Sequence, residues 1–510
     1  MKAKRSLYNV LFGILNQAIV IAAGIVLPRL VLINLGSESN GLLNSVNQIF
    51  TYFALLEAGV GTAALQALYA PVGENDHGRI NQILAATNQY YKRTGILYLV
   101  AFFALACIYP LVVKSVLERP VIFAVIVLTG LSGVISYFFQ GKYNILLLAE
   151  GKNYISSNLS TVTYILTSVT KIVLLLRGYN VVALQAMYCF FNIVRMIYIE
   201  WYIHKNYKWI DLKVKPDFRS IEKKNYVLLH QVSSLIFNNT DVIILTLTVG
   251  LKSVSVYTMY TLLFGMISTL IGTLSGSVQF VLGQAFHQDR EYYKQLHDAY
   301  EVVSMSTVFS LYCIANIFIL PFMALYTKGV SDINYIDVYL PYLFIAVYLL
   351  NNGRESSNIV IKLAGHFQQT VGRSLSEAIL NVTVSLLGVW KFGIYGVLLG
   401  TIAALLYRAN DMIFYANQKI LLRSPRITYR RWIRNLILFI LITIIVNNLS
   451  VQLLTYGEII FWAVIACIII IPFFFLVNGL VEPNVSRFVW SILKSHIVGL
   501  QNNEENKQSL

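Results

Sequence analysis

From about residue 7 onward the chain alternates between long apolar runs and short polar breaks. The runs fall at about 7–33, 41–69, 94–113, 120–149, 154–176, 180–203, 227–250, 254–285, 299–326, 336–361, 371–390, 393–418, 434–455 and 459–480. Each is close to the roughly 20 residues that carry a helix across a hydrocarbon core about 30 Å thick. They do not alternate apolar and polar residues at period two, which excludes a transmembrane β-barrel. The pattern predicts an all-α polytopic membrane protein of about fourteen transmembrane helices. The first run is too long for a signal-peptide core and is read as a retained helix. Pro28 leaves the Gly24 carbonyl without its helical donor, so a kink is expected there.

Composition agrees. Of 510 residues, 57% are hydrophobic and only 12% are charged, whereas soluble domains carry about a quarter charged residues. Mean hydropathy is +0.65. The net charge of +15 does not point to nucleic acid, because Lys and Arg gather in alternate loops. One side holds Lys2, Lys4 and Arg5, then Lys205, Lys208, Lys213, Lys215, Arg219, Lys223 and Lys224. The same side holds Lys419, Arg423, Arg426, Arg430, Arg431 and Arg434. The positive-inside rule puts these loops and both termini in the cytoplasm.

Loops on the other side are short, which argues against an extracytoplasmic catalytic domain. No Ser/His/Asp constellation, carboxylate pair, metal-ligand cluster or CxxC pair stands out, so neither enzyme nor metal chemistry is expected. The histidines, His297 among them, are read as interfacial. Arg423 to Arg434 are expected to meet anionic lipid headgroups, and Lys171 to snorkel. The polar tail 501–510 is expected to be disordered.

The chain reads as two similar halves. Asn144 to Gly151 ends one run and Asn358 to Gly365 another, with the same spacing. Leu35-Gly36 pairs with Val249-Gly250, and Tyr179-Asn-Val-Val with Tyr395-Gly-Val-Leu. This order predicts two pseudo-symmetric six-helix lobes, as in transporters built from repeats. The expected division is an N-lobe at 1–203, a basic loop at 204–226, a C-lobe at 227–418, a second basic loop at 419–433, two extra helices at 434–480, and a tail at 481–510.

Two helices carry polar stripes. Asn44, Gln48, Thr51, Gly59, Thr62 and Gln66 share one face of the second run. Tyr257, Thr261, Ser268, Ser275 and Gln279 do so on the eighth, with Gly265, Gly272 and Gly283 between them. Small residues alone fit close helix packing, but Asn and Gln side chains need partners in a dry interior. A water-lined face is therefore expected. Charges inside the runs are Arg29, Glu57, Lys142, Arg195, Asp241, Arg354, Glu355, Glu377, Arg408 and Asp411.

A charge in a membrane helix costs a few kcal/mol unless water or a partner receives it. Arg408 and Asp411 are spaced to pair on one helix face, and Arg29 and Asp241 are candidates for a pair. Cations on several helices of both halves otherwise fit one shared anionic ligand. Glu57 and Asp241 are candidate H⁺ or Na⁺ sites, since a buried carboxylate can hold a proton near neutral pH. No other cofactor is indicated.

Several motifs resemble one family. Leu27-Pro28-Arg29, the stretch Leu35 to Leu42, Glu57-Ala-Gly-Val-Gly61 and Leu68-Tyr69-Ala-Pro71 are similar to the opening of Wzx-type polysaccharide repeat-unit flippases. Asn238 to Asp241 and Gly393 to Thr401 are similar to that family too. These flippases belong to the multidrug/oligosaccharidyl-lipid/polysaccharide exporter superfamily. The resemblance implies two six-helix lobes around a central cavity in the bacterial inner membrane. It also implies alternating access that moves undecaprenyl-diphosphate-linked oligosaccharide to the outer leaflet for capsule, exopolysaccharide or O-antigen synthesis. The pyrophosphate would meet Arg29, Lys142, Arg195, Arg354 and Arg408, with Asn44, Gln48 and Gln279 lining the path. Partners would be membrane lipids, the polyprenyl-diphosphate glycan and a polysaccharide polymerase. The alternatives are a cation-coupled multidrug exporter of the same superfamily and a membrane glycosyltransferase or polymerase.

Overall fold

The structure, a computed structural model, describes residues 2–53, 60–221, 224–448, 453–492 and 494. The side chains of 2–21, 140, 221, 224–234, 238, 287, 367 and 368 lie outside the description. Among the described residues the chain is helical throughout, with no strand. Among the described residues, nine helices are long and apolar enough to cross a membrane.

The chain divides into two compact units, one of residues 1–258 with 329–333, the other of 259–328 with 334–510. The first holds α1 (Lys2–Phe53), α2 (Val60–Glu74), α3 (His77–Val112), α4 (Arg119–Ile135), α5 (Gly141–Ala149), α6 (Asn153–Leu176), α7 (Val181–Asn206) and α8 (Lys224–Thr248). It also takes the first turns of α9 (Leu251–Gln288). Helix α1 runs through Pro28, and a break in its helical dihedrals falls at Gly36, whose φ of 78° and ψ of 174° suit only glycine. The new helical segment after Gly36 opens on Asp332: the Ser37 amide and hydroxyl donate to its two carboxylate oxygens at 3.0 and 2.7 Å. This supplies the acceptor that a helix start requires.

At 36 residues α3 is about 54 Å long, well over the bilayer's hydrocarbon thickness. Its exposed Ile96, Leu97, Val100 and Phe103 mark the lipid-facing part. Its start is instead covered by the basic loop. There Trp209 stacks on His77 at 4.0 Å, and the Trp209 carbonyl accepts from the Asn81 amide at 3.0 Å.

The second unit holds the rest of α9, then α10 (Arg290–Tyr326), α11 (Leu340–Gly353), α12 (Glu355–Leu363), α13 (Phe367–Phe392), α14 (Ile394–Tyr415), α15 (Arg426–Asn447) and α16 (Tyr456–Val481). Helices α13 and α14 touch backbone to backbone: a Cβ on Gly396 would lie 2.2 Å from the Gly388 carbonyl carbon.

The likeness of the halves extends to their backbone caps. Gly151 and Gly365 both have φ of 70°. Each cap is closed by the same pair of bonds, Gly151 to Leu148 and Lys152 to Leu147, and Gly365 to Lys362 and His366 to Ile361. Such paired bonds end helices on a left-handed glycine. Just before each cap the helix is interrupted. A π-helical turn at Ser136–Gln140 separates α4 from α5, and Arg354 separates α11 from α12. Interruptions of this kind frequently mark functional positions in helices.

Candidate functional site

In the second unit the stripe on α9 borders open space. Gly272 and Gly276 have no neighbour within 4 Å of where a Cβ would lie. They border a cavity of about 360 Å³, whose walls include Ser275 and Gln279 from α9, Asn351 from α11, Arg354 at the break, and Glu355 and Lys362 from α12. Gln279 also borders a second, wider cavity of about 590 Å³ with Gln284 and Gln288. Part of the α9 stripe, Ser275 and Gln279, thus borders open space, while Tyr257 and Ser268 are bonded to Asp241 and Asn352.

Arg354 stands in the cavity wall with a cluster of charges behind it. Its guanidinium donates to Glu377 Oε1 at 2.5 Å and to Asn351 at 3.0 Å. The other Glu377 oxygen lies 3.5 Å from Arg408 Nε. Arg408 donates to Asp411 at 2.5 Å and to Ser374 at 3.2 Å, and Asp411 also accepts from Arg373. Three guanidiniums thus share two carboxylates. The Arg408 side chain is 4% exposed and that of Arg354 13%. Pairing of Arg408 with Asp411 on one helix face is present. On the cavity itself, Lys362 pairs with Glu355 at 3.0 Å.

The remaining candidates belong to the first unit. Lys142 is buried at the start of α5, donates to the Phe138 carbonyl at 3.1 Å and lies over the Tyr143 ring. Arg195 on α7 and Arg29 on α1 are half-buried. Asp241 is buried on α8 and accepts from the Tyr257 hydroxyl at 2.8 Å. Gln48 donates to Asn239, and Asn44 to the Asn40 carbonyl at 2.9 Å. Two further bonds join the same elements, Ser45 to Thr246 at 2.8 Å and Tyr52 to Thr240 at 2.6 Å. On this helix the polar stripe is, at these positions, a hydrogen-bonded seam with α8 rather than a water-lined wall. Gln48 finds its partner across the helix pair and Asn44 finds its own one turn back on α1. Glu57 lies outside the described residues.

Three expectations are corrected. Arg423, Arg431 and Arg434 do not spread toward lipid headgroups. Arg423 and Arg431 each bind Asp298 and Glu301 of α10, and Arg431 and Arg434 bind Glu482 past the end of α16. Glu301 is fully buried, and a buried carboxylate demands such partners. Burial alone would raise the Glu482 carboxyl, but hydrogen bonds and charge from Arg431 and Arg434 outweigh it and hold the group below its usual range. Lys419, Arg426 and Arg430 remain exposed. His297 is buried beside Tyr293, not interfacial. Lys171 turns inward to Gln185 and the Tyr188 ring.

Arg373 and Lys362 were not apparent as site residues from sequence. Arg373 and Glu377 are four apart on α13, a spacing that places both on one face, and that is the signal that could have found Arg373. Lys362 is seven residues from Glu355 and so also shares its face.

No family model and no curated protein matches the sequence. Solved structures do match. The chain is similar to the lipid II flippase MurJ in an inward closed conformation, with a TM-score of 0.71 and 13% identity over 93% of this chain and 99% of that one. It is similar to an inward-facing multidrug resistance MATE family transporter of the MOP superfamily, with a TM-score of 0.65 and 15% identity over 78% and 94%. A MOP superfamily transporter from Pyrococcus furiosus, described as having a binding pocket of reverse polarity, gives 0.50 and 13% over 80% and 97%. The chain has the fold these transporters share.

Proposed function

We propose that this chain is a flippase that carries undecaprenyl-diphosphate-linked oligosaccharide repeat units from the cytoplasmic to the outer leaflet by alternating access. It would serve capsule, exopolysaccharide or O-antigen synthesis in a bacterial inner membrane, with both termini cytoplasmic. It would act as a carrier rather than an enzyme, beside a polysaccharide polymerase. The observation that carries this reading is the polar cavity along α9, with Arg354 and Lys362 in its wall and an excess of guanidinium behind it. Arg offers two parallel donors to phosphate oxygens and Lys a compact charge. Arg354 is then the direct contact, Gln279 a neutral donor beside it, and Arg408 the group that orients Glu377. Arg29, Lys142 and Arg195 would supply positive charge in the first unit, whereas Asn44 and Gln48, engaged in hydrogen bonds within α1 and to α8, are left off the path. Asp241 and Glu57 are the coupling sites for H⁺ or Na⁺ in this reading.

The match to the flippase also spans more of the chain, 93% against 78% for the multidrug transporter. The latter favours a second reading as a cation-coupled multidrug exporter. A cavity meant for cationic drugs, however, would be expected to present unpaired carboxylates rather than Arg354 and Lys362.

The test is replacement of Arg29, Arg195, Arg354 and Arg408 singly by Ala and by Lys in a strain lacking the native copy, with membrane insertion checked. Loss of surface polysaccharide for Arg354→Ala with partial retention for Arg354→Lys is expected. Full polysaccharide in all four Ala variants would contradict the reading. Increased drug resistance on overexpression would favour the exporter.

A further inference from the structure

We infer that Glu377 is a stand-in anion for Arg354, displaced when a diphosphate enters the α9 cavity, and that it thereby sets the affinity and release of the ligand. The inference rests on the proposed anion site and adds its mode of release. Glu377 sits 6% exposed behind the cavity wall, with Arg354 between it and the open space. One carboxylate oxygen binds Arg354 at 2.5 Å and the other faces Arg408 at 3.5 Å.

Arg408 has Asp411 as a second acceptor and Ser374 as a third. It therefore keeps hydrogen-bond acceptors, Asp411 shared with Arg373 among them, when Glu377 shifts. Arg354 is different: its carboxylate partner is Glu377, and the cavity is where a second anion would approach. Glu377 takes Arg354 Nη1 while Asn351 takes Nη2, the two donors a phosphate would engage as a fork, so ligand and Glu377 compete for Nη1. Lys362 repeats the arrangement in the same wall, with Glu355 as its counter-ion. Both cations on the cavity thus have an internal carboxylate to return to.

The arrangement has a purpose in a carrier. An uncompensated guanidinium in a membrane interior is costly and would hold a diphosphate too tightly to let it go. With Glu377 in place, the empty site is neutralised and release needs no naked charge. Binding is weakened by the free energy of the exchanged pair, which is what a carrier requires to turn over.

The test uses the full chain purified in non-ionic detergent, titrated with inorganic pyrophosphate and separately with a short-chain polyprenyl diphosphate. Glu377→Gln should tighten binding of either probe by about tenfold, while transport in proteoliposomes slows at saturating substrate. That sign separates exchange from scaffolding, because a residue needed only for structure would loosen the site when changed. A gain for either probe supports the exchange, and the ratio of the two affinities tells a lipid-linked diphosphate from a soluble one.

Affinity unchanged or weakened in folded Glu377→Gln would overturn the inference. If that variant does not fold, Glu377→Asp withdraws the carboxylate by one methylene and should give a smaller gain; a loss there overturns it equally. Arg354→Ala is the separate check on the site. Loss of binding there, with no gain for Glu377→Gln, leaves the anion site standing and sinks the exchange; unchanged binding there sinks both.

Discussion

Arg354 and Arg408 bear the same charge on helices of one unit, and their surroundings separate their roles. Arg354 faces a cavity and is bonded to Glu377; Arg408 is enclosed by Glu377, Asp411 and Ser374. Both were singled out in the sequence as charges within apolar runs, and Arg408 lies in a helix long and apolar enough to cross a membrane. The pairing of Arg354 with Glu377 was not legible there, because Glu377 lies on another helix and nothing in local spacing joins them. The same limit explains Arg431. A basic run next to a membrane helix looks like a headgroup contact, and only the fold reveals Glu301 on α10 and Glu482 beyond α16.

Removing one side of such a buried pair typically costs about 3–5 kcal/mol. Arg431→Ala should therefore lower the melting temperature of the purified protein markedly, and Arg426→Ala, at an exposed position, should not. Glu482 adds a pH dependence. Its carboxyl is held below the ordinary range, so its stabilisation is present above about pH 4.3 and lost as pH falls through the depressed folded-state value. Thermal melts of the wild-type protein should fall off in that acidic window, and Arg431→Ala should show a shallower decline. Equal acid sensitivity in both would contradict the assignment.

Among the elements, helix positions were the most legible part of the chain, because apolar runs record the lipid boundary directly. Where helices break was less so. Helix α1 continues through Pro28 and breaks at Gly36, where the left-handed dihedral and the Asp332 acceptors make a new start favourable. The repeat was visible in paired glycines, and the identical caps at Gly151 and Gly365 give it a backbone basis. The stripe on the second run looked like the stripe on α9 but serves a seam with α8. Polar periodicity alone does not tell water from a polar neighbour.

The closeness of α13 and α14 gives a prediction at this scale. Gly396→Val places its Cβ against the Gly388 backbone, so the pair must separate. Yield of monodisperse protein should drop sharply by fluorescence-detected gel filtration, while Gly457→Ala, with open space around it, should leave the profile unchanged.

At the scale of the whole molecule, composition and run length established a polytopic helical membrane protein, and the solved transporters share its fold. Sequence identity of 13–15% carries no ligand with it, so the substrate rests on the chemistry of the α9 cavity. That chemistry depends on a few long side chains brought together by tertiary packing.

The most direct measurement is leaflet transfer of a fluorescent polyprenyl-diphosphate oligosaccharide in proteoliposomes, comparing wild type, Arg354→Lys and Arg354→Ala at equal protein insertion. The account predicts transfer by wild type, reduced transfer by Arg354→Lys, and transfer near the protein-free rate for Arg354→Ala. Wild-type transfer no faster than empty liposomes, or undiminished transfer by Arg354→Ala, would contradict it.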